Sequence, residues 1–321
     1  MNKFQRTLLA AAVTGLAAAF AAVPAVQAAA PMVKSPAPGY FRLMVGDFEV
    51  TPINDGTVDL PVDQLLHENA DTTRTILSKN FLKAPLETSD NAYLVNTGSK
   101  LVLIDTGAGA LFGPTLGKFV NNLKAAGYQP EQIDEIYITH MHGDHVGGLV
   151  SNGQRVFPNA LVRAGKGDAD FWLSQANMDK APADKKGFFQ GAMTALNPYV
   201  QAGKFKAIEG DGALVPGISA IATHGHTPGH TSYVVESHGQ KLVLMGDLIH
   251  VASVQFDNPT VTIGFDSDDK AAFASRKKVF DDAAKNGTLV AGAHLQFPGL
   301  GHIVAQGKAY RWIPVNYTRM R

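Results

Sequence analysis

Residues 139–149 read THMHGDHVGGL, which places three histidines and an aspartate within positions 140–145, directly after the apolar run 136–138. If that run is a strand, His140 and His142 leave its end on one side, because residues two apart in an extended chain share a face. A turn at Gly143 then brings Asp144 and His145 back toward them. Gly147 and Gly148 let the backbone pass close to the cluster. Neutral imidazole and carboxylate are the ordinary ligands of zinc and similar divalent ions, and one cation takes three or four of them. Four such groups here, with others elsewhere in the chain, predict two cations.

The partners are found at three further places. His226 sits in HGHTPGH (224–230), Asp247 closes LVLMGD (242–247), and His294 closes LVAGAH (289–294). Each falls at the end of an expected strand, where loops gather and sites are built. The set of metal ligands is therefore His140, His142, Asp144, His145, His226, Asp247 and His294. Asp247 is placed to bridge two ions about 3.5–4 Å apart. Zinc is the expected metal, and manganese, iron or cobalt suit the same donors. Two cations sharing one water lower its pKa from about 15.7 toward 7, which gives a bridging hydroxide able to attack a carbonyl or phosphoryl centre. Asp247, and beside it Asp144, are the groups expected to act in that chemistry. No G-x-S-x-G nucleophile motif is present.

The rest of the chain limits the alternatives. It has 321 residues and no cysteine, so its stability must come from a core and not from disulfides. Lys3 and Arg6, an Ala-rich apolar run over 8–23 and the small-x-small pattern Val26-Gln27-Ala28 read as a signal peptide over 1–28. That reading implies export to the periplasm or beyond, with no membrane attachment after cleavage. Removing Lys3 and Arg6 from 28 basic residues leaves 26 against 28 acidic ones, a charge of about −2. No basic run is available to hold a phosphate backbone, so nucleic acid is not an expected partner.

Residues 29–40 are rich in Pro and Ala and read as an extended arm, followed by one domain over 41–321. Expected strands are 48–53, 92–96, 101–104, 136–139, 160–164, 218–223, 232–235, 242–245, 289–291 and 309–315. Several are continuous apolar runs, as in strands covered on both faces. Expected helices are an apolar stripe at Leu116, Phe119, Val120 and Leu123 ended by Gly127, then 168–178, 187–199, and 268–285 capped by Ser267. Two strand sets, each followed by helices, predict two packed sheets with helices outside.

H-x-H-x-D-H at His140–His145, followed by GHTPGH, GD and a late histidine, resembles the signature of the metallo-β-lactamase superfamily. The resemblance implies an α/β fold, the αββα sandwich, with the metals at one edge between two mixed sheets. It implies that His140, His142 and His226 hold one ion, that Asp144, His145 and His294 hold the other, and that Asp247 joins them. By the same likeness Asp105, in LIDTG (103–107), orients a ligand histidine. Longer stretches are similar to the methyl parathion hydrolase group and its lactonase relatives: PAPGYFRLMVGDFEV (36–50), KAPLETSDNAYLVNTGSKLVLIDTG (83–107), FWLSQANMDKAP (171–182) and YRWIPVNYT (310–318). That similarity implies a homodimer and an aromatic pocket entrance at Phe112, Trp172 and Phe188.

The chain departs from organophosphate-hydrolysing members at Leu65, His250, Ile263 and Phe265, and its ADKKGFF loop (183–189) is one residue shorter. Phe265 and His250 narrow the space for a tetrahedral phosphotriester, whereas a planar lactone still fits. The expected function is therefore that of a lactonase or arylesterase acting on aryl lactones such as a dihydrocoumarin, or on other lactones and esters. Organophosphate triester hydrolysis is expected as a side activity at most. A bridging Asp247 argues against a β-lactamase, and the open ligand pattern argues against a non-catalytic periplasmic metal binder. The remaining histidines, His67, His224, His230, His238 and His302, are expected on the surface or in hydrogen-bonded support, with His230 steadying its loop.

Overall fold

The computed structural model describes residues 30–320; the expected signal peptide, and residue 29 of the arm, lie outside the described residues. Residues 30–36 are exposed and carry no helix or strand. Residues 37–320 form one compact unit.

The first sheet contains β1 (Leu43–Val45), β2 (Phe48–Leu60), β3 (Leu86–Asn96), β4 (Leu101–Ile104) and β5 (Glu135–Ile138). After a short hairpin of β6 (Val150–Ser151) and β7 (Gln154–Arg155), it is completed by β8 (Leu161–Gly165) and β9 (Phe205–Ile208). The second sheet runs in chain order: β10 (Gly212–Val215), β11 (Ile218–Ala222), β12 (Thr231–Ser237), β13 (Gln240–Leu244), β14 (Leu289–Ala291), β15 (Leu300–Gln306) and β16 (Ala309–Pro314). Both sheets are mixed. Antiparallel neighbours give way to parallel pairs at β4–β5 and at β13–β14.

The helices are α1 (Val62–Leu65), α2 (Ala70–Lys79), α3 (Phe119–Ala125), α4 (Gly143–Val146), α5 (Lys166–Trp172), α6 (Gln175–Lys180), α7 (Lys186–Gln201), α8 (Ala252–Gln255) and α9 (Asp269–Asn286). Alternation along the strands sorts the side chains into layers. Tyr93, Val95, Val102 and Ile104 point between the sheets, where they meet Ala220, Tyr233, Leu242 and Leu244. Ala92, Leu94 and Leu103 point the other way, toward Phe119 of α3 and Ala192 and Leu196 of α7. Val243, Val290 and Ile303 turn outward from the second sheet onto Val279, Phe280 and Ala283 of α9. This is the αββα sandwich that the sequence predicts.

Two tyrosines fasten the sheets together just below one edge. Tyr93 OH donates to Gly292 O across the gap (3.0 Å), and Tyr233 OH donates back to Ile138 O (2.7 Å). The carboxyl ends of both parallel pairs open at this edge, the usual location of sites in α/β sheets.

Most expected elements are present with shifted ends. The helix expected over 168–178 is two helices, α5 and α6, broken at Leu173-Ser174, with the Ser174 side chain capping the second. The expected Ser267 cap is Asp268, whose carboxylate accepts from Ala271 N, while Ser267 N bonds His226 O. Leu116 lies ahead of α3, and Gly127 follows the helix at φ 95°, the left-handed conformation that glycine supplies after a helix end.

Candidate metal centre

The chain ends its strands in a row along the edge. β5 stops at Ile138, Thr139 to His142 follow as a loop, and α4 carries Asp144 and His145. Gly147 and Gly148 are needed where this segment crosses residues 106–108. A Cβ on either would lie 2.0 Å from the carbonyl of Ala108 or Thr106. The loop between β11 and β12 brings His226, the turn after β13 brings Asp247, and the turn after β14 brings His294. All seven sequence-predicted ligands meet here.

Hydrogen bonds fix which nitrogen each imidazole turns inward. His145 Nδ1–H donates to Asp105 Oδ2 (2.9 Å), His226 Nδ1–H to Asp266 Oδ1 (2.7 Å), and His294 Nδ1–H to Ser89 O (3.0 Å). Thr139 Oγ1 donates to Asp105 and receives His140 Nδ1–H (3.1 Å). In its neutral form each of these four rings presents its Nε2 lone pair inward.

His226 Nε2 then lies 3.2 Å from His140 Nε2 and 3.2 Å from His142 Nδ1. At that distance bare nitrogens repel one another unless a proton or a metal cation sits between them. Ligand nitrogens about 2.0–2.1 Å from one tetrahedral ion stand roughly 3.3 Å apart, so the spacing fits a single cation. Asp144, His145 and His294 form a second such group, with His294 Nε2 3.6 Å from Asp144 Oδ2. Asp247 lies between the two groups. Its Oδ2 faces His226 (3.4 Å) and His294 (3.1 Å), and its Oδ1 faces His145 (3.3 Å). Asp247 Oδ1 and His145 Nε2 are buried without a hydrogen-bond partner among the described residues. The donor set therefore fits two divalent cations joined by one carboxylate.

Charge follows this arrangement. Burial, and then the neighbouring imidazoles, hold His140 and His142 well below the ordinary histidine value. Burial acts downward on His145 and His294 too, but the surrounding carboxylates, Asp247 first and then Asp144, together outweigh it. His145 is pushed well above its usual value and His294 up to about 9. Burial alone would raise Asp247; His145 and His294 instead pull it well below the usual carboxylate range.

Three buried supports were not legible in the sequence. Asp266 orients His226, as Asp105 orients His145. Asp168 accepts from Met141 N (2.9 Å), Gly229 N (2.6 Å) and Thr227 Oγ1 (3.0 Å), and so ties the loop of His140 to the loop of His226. Asp55 holds Ala108 N, Gly117 N and Phe119 N, and so pins the loop that carries Phe112. His230 has the supporting role expected of it, receiving Asp247 N at Nε2 and donating from Nδ1 to Thr223.

A small chamber of about 90 Å³ opens over the centre, walled by Phe112, Leu116, Phe188, Phe265 and His250. Phe188, Phe265 and His142 also line an adjoining recess of about 430 Å³, which is backed by Phe171, Trp172 and Phe189. Phe112, Trp172, Phe188, His250 and Phe265 are thus at the cavity. Leu65 and Ile263, expected in its wall, instead pack with Val62, Leu66, Leu77 and Val251 in the apolar cluster under Phe265. Leu65 O accepts from Gly264 N, and Gly264 lines the recess. His250 is closer to the centre than a wall residue, since its Nε2 lies 3.1 Å from Asp247 Oδ2 and its ring stacks on His294.

A model of the Metallo-beta-lactamase superfamily matches residues 87–294. An N-acyl homoserine lactonase of a Bacillus species is 27% identical over 252 residues, covering 73% of this chain and 91% of that one. One from Bacillus cereus is 26% identical over 274 residues, 79% and 96% of the two chains. Among solved structures, the hydrolase AbOPH of the beta lactamase superfamily superposes with a TM-score of 0.84 at 39% identity, covering 89% of this chain and 100% of its own. AidC, a dizinc quorum-quenching lactonase in complex with a product, an N-acylated L-homoserine, superposes with a TM-score of 0.81 at 29% identity, covering 88% and 99%.

Proposed function

The chain belongs to the metallo-β-lactamase superfamily of metal-dependent hydrolases, and from that premise we propose that it is a dinuclear lactonase, opening lactones that carry an apolar aryl or acyl substituent. The observation that carries this reading is the pair of inward-facing donor groups shared by Asp247 at the floor of an aromatic chamber. The lactonases among its relatives support it.

Two divalent cations, when bound, supply Lewis acidity toward the ester carbonyl and acidify a water. The chain's own groups do the rest. Asp247, buried between the two donor groups, is the base best placed to take the proton of that water and return it to the departing alkoxide or phenolate. His250 Nε2–H donates to Asp247 Oδ2 and holds the carboxylate in place. Phe112, Leu116, Phe188 and Phe265 exclude bulk water and present flat apolar surface to a planar ester. The chamber takes the reacting ring and the recess takes its substituent. An aryl lactone opens to a phenolate, whose conjugate acid has a pKa near about 10, so little acid assistance is needed.

The sequence pattern of residues 1–28 supports export, and the resemblance to the methyl parathion hydrolase group supports a homodimer. The test is a panel of aryl lactones, N-acyl homoserine lactones, aryl esters and methyl phosphotriesters on metal-reconstituted protein. Highest kcat/KM on a lactone supports the reading; highest kcat/KM on the phosphotriester overturns it.

A further inference from the structure

Asp90 carries a carboxyl buried beside the centre. It is 2% exposed, its Oδ2 is enclosed, and that oxygen has no hydrogen-bond partner among the described residues. A carboxylate enclosed in this way either gives up its charge or keeps it beside a cation.

Its place in the fold decides between these. Asp90 lies on β3 between Ser89, whose carbonyl receives His294 Nδ1–H (3.0 Å), and Asn91. Asn91 N bonds Ala293 O (2.9 Å) and Asn91 Nδ2 bonds Leu295 O (2.7 Å). The residues on either side of Asp90 thus grip the His294 turn before and after the ligand. Asp90 pairs across the sheet with Gly56, next to Asp55, whose carboxylate is fully engaged by three backbone N–H groups. Burial, then Asp55 and Asp144, push the Asp90 carboxyl well above its usual value, while His145 and His294 act the other way. Asp144, His145 and His294 are the second donor group. It is also the more open of the two, because the Asp144 side chain is 25% exposed whereas His140, His142 and His226 are almost fully enclosed.

We propose that Asp90 is an outer anion of the second cation position, a positioning residue that retains the ion held by Asp144, His145 and His294. Outer groups of this kind change metal affinity through charge, without touching the ion's own ligands. The inference rests on the two-cation reading of the centre. It does not depend on the substrate, so a protein that binds two cations and opens no lactone would overturn the lactonase reading alone.

The experiment is a zinc titration of the metal-free full chain against a chromophoric chelator, for the parent, Asp90→Asn and Asp90→Ser. The melting temperature of each metal-free protein is recorded alongside. Two zinc ions still bind to the variants, the tighter with unchanged affinity and the weaker with affinity lowered about 10–100-fold. Metal-free melting is equal to or above that of the parent, because an enclosed, unpartnered carboxyl is removed. Both affinities within twofold of the parent would overturn the proposal. So would equal weakening of both sites, or failure of both variants to fold, since each marks a structural role.

Discussion

Asp266 Oδ1 lies 2.7 Å from His226 Nδ1, a carboxylate on the outer nitrogen of a ring whose inner nitrogen faces His140 and His142. The bond fixes the ring's rotation and its tautomer together, and it holds Asp266 below the usual carboxylate value against the opposing effect of burial. Asp266→Asn should therefore weaken the cation held by His140, His142 and His226 by about 10–100-fold and leave the other less affected. Metal competition resolved into two affinities checks this. Weakening confined to the Asp144, His145 and His294 ion would refute the assignment.

The two donor groups should also differ in the protons they release. His140 and His142 are held neutral by burial, whereas His145 is raised and His294 stands at about 9. At pH 7 the second cation must displace protons that the first need not, so its binding strengthens more steeply between pH 6 and 9. Calorimetry in buffers of different ionisation enthalpy counts these protons. The same shift has a sign in stability. A histidine raised from 6.5 to about 9 stabilises the metal-free fold fully below pH 6.5 and loses that contribution as pH rises through 9. Metal-free melting should fall over that range, and His294→Ala should flatten the fall.

Phe265 and His250 face each other across the chamber, ring centroids 6.2 Å apart. Replacing both with leucine removes bulk from the wall and the hydrogen bond to Asp247. The ratio of phosphotriester to lactone kcat/KM should rise at least tenfold. The two ratios measured in one preparation decide it, and an unchanged ratio would show that these residues do not set the preference.

Arg276 is 1% exposed and donates to Leu248 O, Pro259 O and Val261 O, while Gln255 binds His250 N, Val251 N and Val261 O. Together they hold the segment that presents His250 and Phe265. Arg276→Met leaves buried carbonyls without donors and should cost about 2 kcal/mol or more, a fall of roughly 4–8 °C in Tm. KM should rise more than kcat falls, because the wall moves while the ligands stay.

The seven residues that converge at the centre were readable in the sequence because each sits in a short run that combines a strand end with a metal-binding residue type. Asp105 was readable through LIDTG. Asp266 and Asp168 were not: they lie 40 and 27 residues from the groups they bond, His226 and Met141, in segments with no distinguishing pattern. Only the folded loops bring them close. The sheets were legible where apolar runs are continuous, as at Leu101–Ile104 and Leu289–Ala291. β10, with its exposed Gly212 and Ala213, and α2, polar apart from a few positions, carry weak periodicity and escaped. Leu65 and Ile263 show the limit of likeness, since matching pocket positions in relatives did not place them at the cavity here.

Metal content against turnover is the most direct test of the two-cation centre. Chelated, metal-free protein is titrated with zinc while lactone opening is followed and bound metal is counted. Activity should be absent at the start, rise to a plateau at two ions per chain, and stay absent in Asp247→Ala at any zinc level at which the parent is saturated. Full lactone turnover by protein free of stoichiometric metal, or a plateau at two ions in Asp247→Ala equal to the parent's, would contradict the account.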